Sequence, residues 1–278
     1  MDSDSSSDDE NLAQCSLLID PQHHPRWYRF NFSTPSSATA WVTLFRFTKQ
    51  QLTDLVFNIP DPIQTKQRYS VGAFEALCIF LRRMAYPSRL EDLALLFGRD
   101  QTAISNICNT ALKHVYKRFR HLLLFDQARL TTTKLCEYAR AIHEKGASLS
   151  SCISFVGGIL RGIADGNHFV IYGNPAYSRE AHIIPPFKGT RLSEHEQAFN
   201  AHMSKVRVCV EWEFGKIAKC WTFLDFPKNE KLYLQRLGKM YAVAAILSNV
   251  HSCANGSQTG SFFGIDAPGV EEYLGIFE

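Results

Sequence analysis

The chain has 278 residues, 45% of them apolar, a net charge of +3 and a pI of about 8.4. That length carries one large or two small domains with a real hydrophobic core, and so mild a positive balance does not by itself argue for nucleic acid. No basic region followed by an apolar run opens the sequence, and the longest apolar run, Tyr241 to Leu247, is too short for a bilayer, so neither a secretory signal nor a membrane partner is expected. The eight cysteines form no CxxC pair, which excludes a zinc ribbon and fits small apolar residues in a reducing compartment.

Residues 1–44 read as a tail that is partly disordered: Met1 to Glu10 is rich in Ser and Asp, and Pro21, Pro25 and Pro35 argue against a long helix up to Arg46. Phe45 to Asn58 reads as a helix, broken by Ile59-Pro60-Asp61-Pro62. Val71 to Ala85 reads as an amphipathic helix with Phe74, Leu77, Cys78 and Leu81 on one stripe. Ser88 and Glu91 have capping-box spacing, and the helix they start is stopped by Gly98. Asp100 caps a second helix, whose apolar positions Ile104, Ile107, Cys108, Ala111, Leu112 and Val115 lie on one face.

Two helices joined by a short Gly-containing turn make a helix-turn-helix. The first turns of the second helix offer Gln101, Thr102, Ser105 and Asn106, all off its apolar stripe, and Gln or Asn can pair with adenine in the major groove. Eight basic residues, Arg82, Arg83, Arg89, Arg99, Lys113, Lys117, Arg118 and Arg120, surround them against the three acids Glu91, Asp92 and Asp100, a local excess of five positive charges suited to phosphates. Arg99, Gln101, Thr102, Ser105, Asn106 and Lys113 are therefore the candidate DNA contacts. The same pattern is also met by two packed helices with a solvated basic face.

Further along, Leu135 to Lys145 reads as a helix closed by Gly146, Cys152 to Val156 and Phe169 to Tyr172 as strands, and Pro185 to Gly189 as a loop. Ser193 to about Ile217 reads as a long helix opened by a Ser193–Glu196 capping box, and Tyr233 to Val250 as a buried helix before a Gly- and Ser-rich tail.

The order of segments carries more than any one of them. Arg89-Leu90-Glu91-Asp92-Leu93 and Gln101-Thr102-Ala103-Ile104-Ser105-Asn106-Ile107 precede Ser154-Phe155-Val156-Gly157-Gly158, then Tyr172-Gly173-Asn174-Pro175-Ala176-Tyr177, then Val210-Glu211-Trp212-Glu213-Phe214-Gly215-Lys216. From about Asp54 onward the chain resembles the Harbinger-type DDE transposases and their nuclease-like relatives. The resemblance implies a nuclear protein with an α+β, mostly helical fold. A helix-turn-helix domain over residues 45–150 would precede an RNase H-like domain over 151–278. It implies DNA as partner, with a separate DNA-binding protein as an option. It also implies a Mg²⁺ or Mn²⁺ cofactor, because two metals held by two Asp and one Glu stabilise the attacking and leaving oxygens of a phosphodiester.

Two of those three positions depart from the family pattern. Gly157 stands in place of the first Asp and has no ligand atom; Asn174 replaces the second and offers only a neutral carbonyl; Glu211 is the remaining acid. A −3 site becomes −1, with correspondingly less attraction for a dication. Asp165 is the nearest substitute acid, although a turn role is the commoner use of such a residue. Only Ile159 to Phe169 separates the first two motifs, about 50–60 residues fewer than the two strands and helix of the family would occupy. The domain is thus expected to lack its middle strands and lose its central pairing. The expected function is a transposase-derived DNA-binding protein with impaired catalysis and weak or absent metal binding. The alternatives are an active nuclease with substitute ligands, or a non-catalytic protein-interaction module. Glu213 is read as solvated, and Trp212, Phe214, Trp221 and Phe223 as core.

Overall fold

In a computed structural model, residues 30–32, 37–57, 59–124, 129–156, 169–225 and 237–275 are described. The expected disorder of the first residues, and the positions of Gly157 and Asp165, lie outside them. The fold is mostly helical with two small sheets, consistent with an α+β class. It divides into two units, Met1–His121 with Ala218–His251 and Leu122–Ile217 with Ser252–Glu278. The helix after residue 130 packs on the strands that follow it, and the segment beginning at Ala218 belongs with the first unit.

The first helices described in the first unit are α1 (Ala38–Phe45) and α2 (Lys49–Val56). The sequence reading placed one helix from Phe45 to Asn58; instead Arg46 takes a left-handed conformation, and Thr48 and Gln51 form a capping box that starts α2 afresh. Helix α1 was unexpected: Ser37 caps it, and Trp41 and Phe45 pack with Phe30 into an aromatic cluster.

Strands β1 (Ile63–Gln64) and β2 (Ser70–Val71) pair antiparallel before α3 (Ala73–Ala85). The Asp61 carboxylate accepts the Ala73 amide hydrogen, supplying a cap that Gly72 cannot. The expected single stripe on α3 is too narrow. Every residue from Ala76 to Leu81 is buried, as in a helix surrounded by its neighbours.

Helices α4 (Leu90–Phe97) and α5 (Gln101–Phe119) follow, packed on each other. The cap of α4 is one residue later than expected: Asp92, not Glu91, accepts a hydrogen bond, from the Arg89 amide at 3.0 Å. Gly98 is left-handed (φ 61°), as a C-terminal cap requires, and Asp100 accepts from the Ala103 amide at 2.8 Å. All six expected apolar positions of α5 are buried.

In the second unit α6 (Thr132–Glu144) is followed by β3 (Cys152–Val156), β4 (Val170–Gly173) and β5 (Ile183–Ile184) in one parallel sheet of order β3-β4-β5. Ile153 and Ile171 pack with Leu135 and Ala139 of α6. Cys152 and Tyr172 pack instead with Met203 and Val206 of α7 (Glu194–Cys220). Such strands have apolar neighbours on both faces, the usual condition of parallel sheets.

The expected loss of pairing is corrected. β3 and β4 are direct neighbours, and the roughly dozen residues between them meet the minimum for a parallel crossover. The Ser193–Glu196 box opens α7 as expected. The last long helix, α8 (Leu237–Asn255), begins beside undescribed residues. The described part of the Gly- and Ser-rich tail forms α9 (Gln258–Phe263) and α10 (Val270–Leu274). Ser257 caps α9, and the left-handed Gly264 and Gly275 terminate the two helices. No described helix is long and apolar enough to cross a membrane.

Candidate functional site

The β3–β4 register sets Val156 opposite Gly173, so the positions next in sequence are Gly157, outside the described residues, and Asn174. Asn174 is engaged locally. Its side-chain oxygen accepts from the Ala176 amide at 2.9 Å and its carbonyl from the Tyr177 amide at 3.1 Å, a turn that ends β4. A Cβ at Gly173 would lie 3.1 Å from the Tyr177 ring, so glycine lets that ring close over the turn.

Glu211 sits on α7 but off its buried stripe of Met203, Val206 and Cys209. Its side chain is 61% exposed and faces Arg207 at 3.5 Å, an i,i+4 pair of the kind that contributes little at a surface. Glu213 lies two residues on, about 200° around the helix. It is only part-exposed, and its carboxylate accepts a hydrogen bond from the Thr259 hydroxyl at 2.6 Å, which corrects the solvated reading. Glu213 also helps to line a cavity of about 570 Å³ with Ser154 and Phe155 of β3 and with Cys209. Burial, then the nearby Glu213 charge, pushes the Cys209 thiol up to about 11. Burial raises Cys152 to about 11 as well. Of the four aromatics expected in the core, Trp221 and Phe223 are buried and Trp212 packs edge-on against Phe262. Phe214 is 55% exposed, a second correction.

A divalent metal needs several hard, charged oxygens converging on one point. Among the described residues no three His, Cys, Asp or Glu side chains do so. The Asn174 oxygen is taken by its own turn, and Glu211 stands exposed beside a guanidinium. The described residues at the family's metal positions therefore do not fit the group.

In the first unit, Gln101 and Thr102 are exposed on the first turn of α5, with Gln101 donating to Glu91 at 3.4 Å. Arg99 is already engaged: its Nε and Nη2 donate to the two Glu75 oxygens at 2.7 and 2.9 Å, and the two side chains are only 19% and 12% exposed. That hydrogen-bonded carboxylate raises the Arg99 pKa above its ordinary value. Ser105, Asn106 and Lys113 are half-buried along one wall of a cleft of about 410 Å³. Lys66 and Gln67 of the β1–β2 turn and Arg83 of α3 line the same cleft; Arg83 belongs to the basic cluster read from the sequence, whereas Lys66 and Gln67 have no counterpart in that reading. Only the fold sets them opposite α5.

Residues 154–249 match the DDE superfamily endonuclease family, which supports a transposase-derived endonuclease domain in this part of the chain. Neither the curated proteins nor the solved structures contain a match.

Proposed function

We propose that this chain is a nuclear, Harbinger-type transposase-derived protein that binds DNA through the α4–α5 helix-turn-helix and no longer cuts it. In this reading residues from β3 to α8 descend from an RNase H-like endonuclease that has lost two of its three acids and keeps Glu211. The observation that carries it is the state of the two described metal positions: an Asn whose oxygen closes a turn, and a Glu paired with Arg207 in solvent. Neither Mg²⁺ nor Mn²⁺ has a compensating partner there, and DNA is retained as a ligand rather than a substrate. Calorimetric titration of the full chain with Mn²⁺ tests this. The expected result is no stoichiometric binding at micromolar concentration; a stoichiometric micromolar isotherm abolished by Glu211→Gln would overturn it.

An active nuclease with substitute acids is favoured by one observation, the Glu213 carboxylate in the β3-lined cavity. That reading requires the Mn²⁺ isotherm to disappear with Glu213→Gln and to survive Glu211→Gln.

A further inference from the structure

Ser105, Asn106 and Lys113 of α5 line a cleft together with Lys66 and Gln67 of the β1–β2 turn and Arg83 of α3. Three cationic side chains and several amides and hydroxyls line this cleft, and no acidic residue among the described ones does. Its apolar floor includes Cys108 and Leu112. A cleft with low-dielectric walls and charge of one sign concentrates ions of the other sign.

The walls are held in place. Thr65 is buried, and its hydroxyl accepts from the Tyr69 amide at 3.0 Å, while the Thr65 amide donates to the Tyr69 carbonyl at 2.9 Å. The Arg68 amide donates to the Thr65 carbonyl at 3.0 Å. These bonds fix the turn that presents Lys66 and Gln67. Asn109 donates to the Ser105 carbonyl at 2.9 Å, which keeps its side chain along the helix. The Arg83 guanidinium lies over the Phe223 ring at 5.1 Å and is hydrogen-bonded to the Cys108 thiol, whose pKa is raised by burial and partly lowered by that charge and that bond. Arg83 Nε is buried and has no hydrogen-bond partner among the described residues, a donor whose burial costs free energy until an acceptor arrives.

We infer that this cleft is a phosphate-ester site, formed by Lys66, Arg83 and Lys113 with Gln67, Asn106 and Asn109, and that it seats a backbone phosphate of bound DNA. Charge selects the anion, the amides supply further hydrogen bonds to its oxygens, and the rigid turn limits the ordering cost. The inference rests on the DNA-binding reading and adds to it residues outside the helix-turn-helix. It also divides the labour on α5: Gln101 and Thr102 face solvent, where base edges could be met, whereas Ser105, Asn106 and Lys113 serve the backbone.

The experiment uses the full chain, a fluorescein-labelled 20-base-pair duplex and inorganic phosphate. Anisotropy titrations at several salt concentrations compare the parent with Lys66→Ala, Lys113→Ala and Lys188→Ala, the last a loop lysine of the other unit with the same charge change. Each cleft variant should lower the slope of log K against log salt by about one, with Lys188→Ala unchanged. The second arm follows thermal stabilisation by inorganic phosphate. Stabilisation lost in both cleft variants, with an unaltered DNA slope, keeps a phosphate site but assigns it to a free phosphate ester. If the parent binds DNA and neither readout moves in the cleft variants, the cleft inference fails and the DNA reading stands. If the parent binds neither DNA nor phosphate, both fail.

Discussion

Arg99→Ala separates a structural arginine from a DNA-contacting one. The guanidinium makes two charge-assisted hydrogen bonds to Glu75, and both side chains are less than one-fifth exposed, so neither can be rehydrated freely. Removing one partner of a fully buried pair costs about 3–5 kcal/mol, and an exposed pair contributes about 0–1 kcal/mol. With water reaching part of each group, about 2–3 kcal/mol is expected, most of it the penalty of the stranded Glu75 carboxylate. At about 2–4 °C per kcal/mol for a body of this size, the melting temperature should fall by about 5–10 °C. Urea denaturation gives the free energy, and Glu75→Gln with Arg99→Ala should cost less than Arg99→Ala alone, because the stranded charge is gone. DNA titrations well below the transition should then show a salt slope equal to the parent's. A loss under 0.5 kcal/mol, or a slope lowered by one with stability intact, would refute the reasoning and return Arg99 to the phosphate contacts.

Three further outcomes are expected. Ile104→Ala removes a fully buried side chain from α5 and should cost about 2–5 kcal/mol in urea denaturation; a loss below 1 kcal/mol would mean that α5 is not packed as described. Ser248→Ala removes the acceptor of the buried Trp221 indole N–H at 2.9 Å and should cost about 1–3 kcal/mol, visible as an earlier urea midpoint. Cys152 and Cys209, raised from 9.0 to about 11, contribute stability that is whole below the free-thiol value and is lost as pH climbs through about 11. Melting temperature should therefore fall between pH 9 and 11, more steeply in the parent than in a Cys152→Ala variant. At pH 8, alkylation followed by mass spectrometry should find the exposed Cys136 labelled first among the described cysteines.

What could be read from the sequence was local. The α5 stripe, the left-handed Gly98, the Asp100 cap and the Ser193–Glu196 box each depend on residues within about one to three turns, and each is present. The α4 cap was misread because Ser88 with Glu91 and Arg89 with Asp92 compete for one helix start, and the backbone chose the second. Helix α1 has apolar side chains that only a tertiary partner, the Phe30 cluster, makes sense of. Strand β5 has two residues and exists through its pairing to β4. Helices α9 and α10 are short and rely on caps and packing rather than propensity. The pairing of β3 with β4 was missed because a shortened connection was taken as a broken sheet, although about a dozen residues suffice for the crossover.

At the candidate site, the phase of α7 was the missing signal. Val206, Cys209 and Glu213 recur at helical spacing, which puts Glu213 on the inward side and Glu211 outside it. Arg83 is one of the eight basic residues of the sequence cluster, but Lys66 gave no such signal, because it meets α5 only across the tertiary fold.

The central claim is that a DDE-type domain has been kept while DNA cleavage has been lost. The most direct measurement is nicking of supercoiled plasmid by the full chain in Mg²⁺ and in Mn²⁺, with Glu211→Gln beside it. The expected result is no conversion to open circles by either protein in either metal, under conditions where both retard the plasmid in a gel. Metal-dependent open circles from the parent, absent with Glu211→Gln, would contradict the claim.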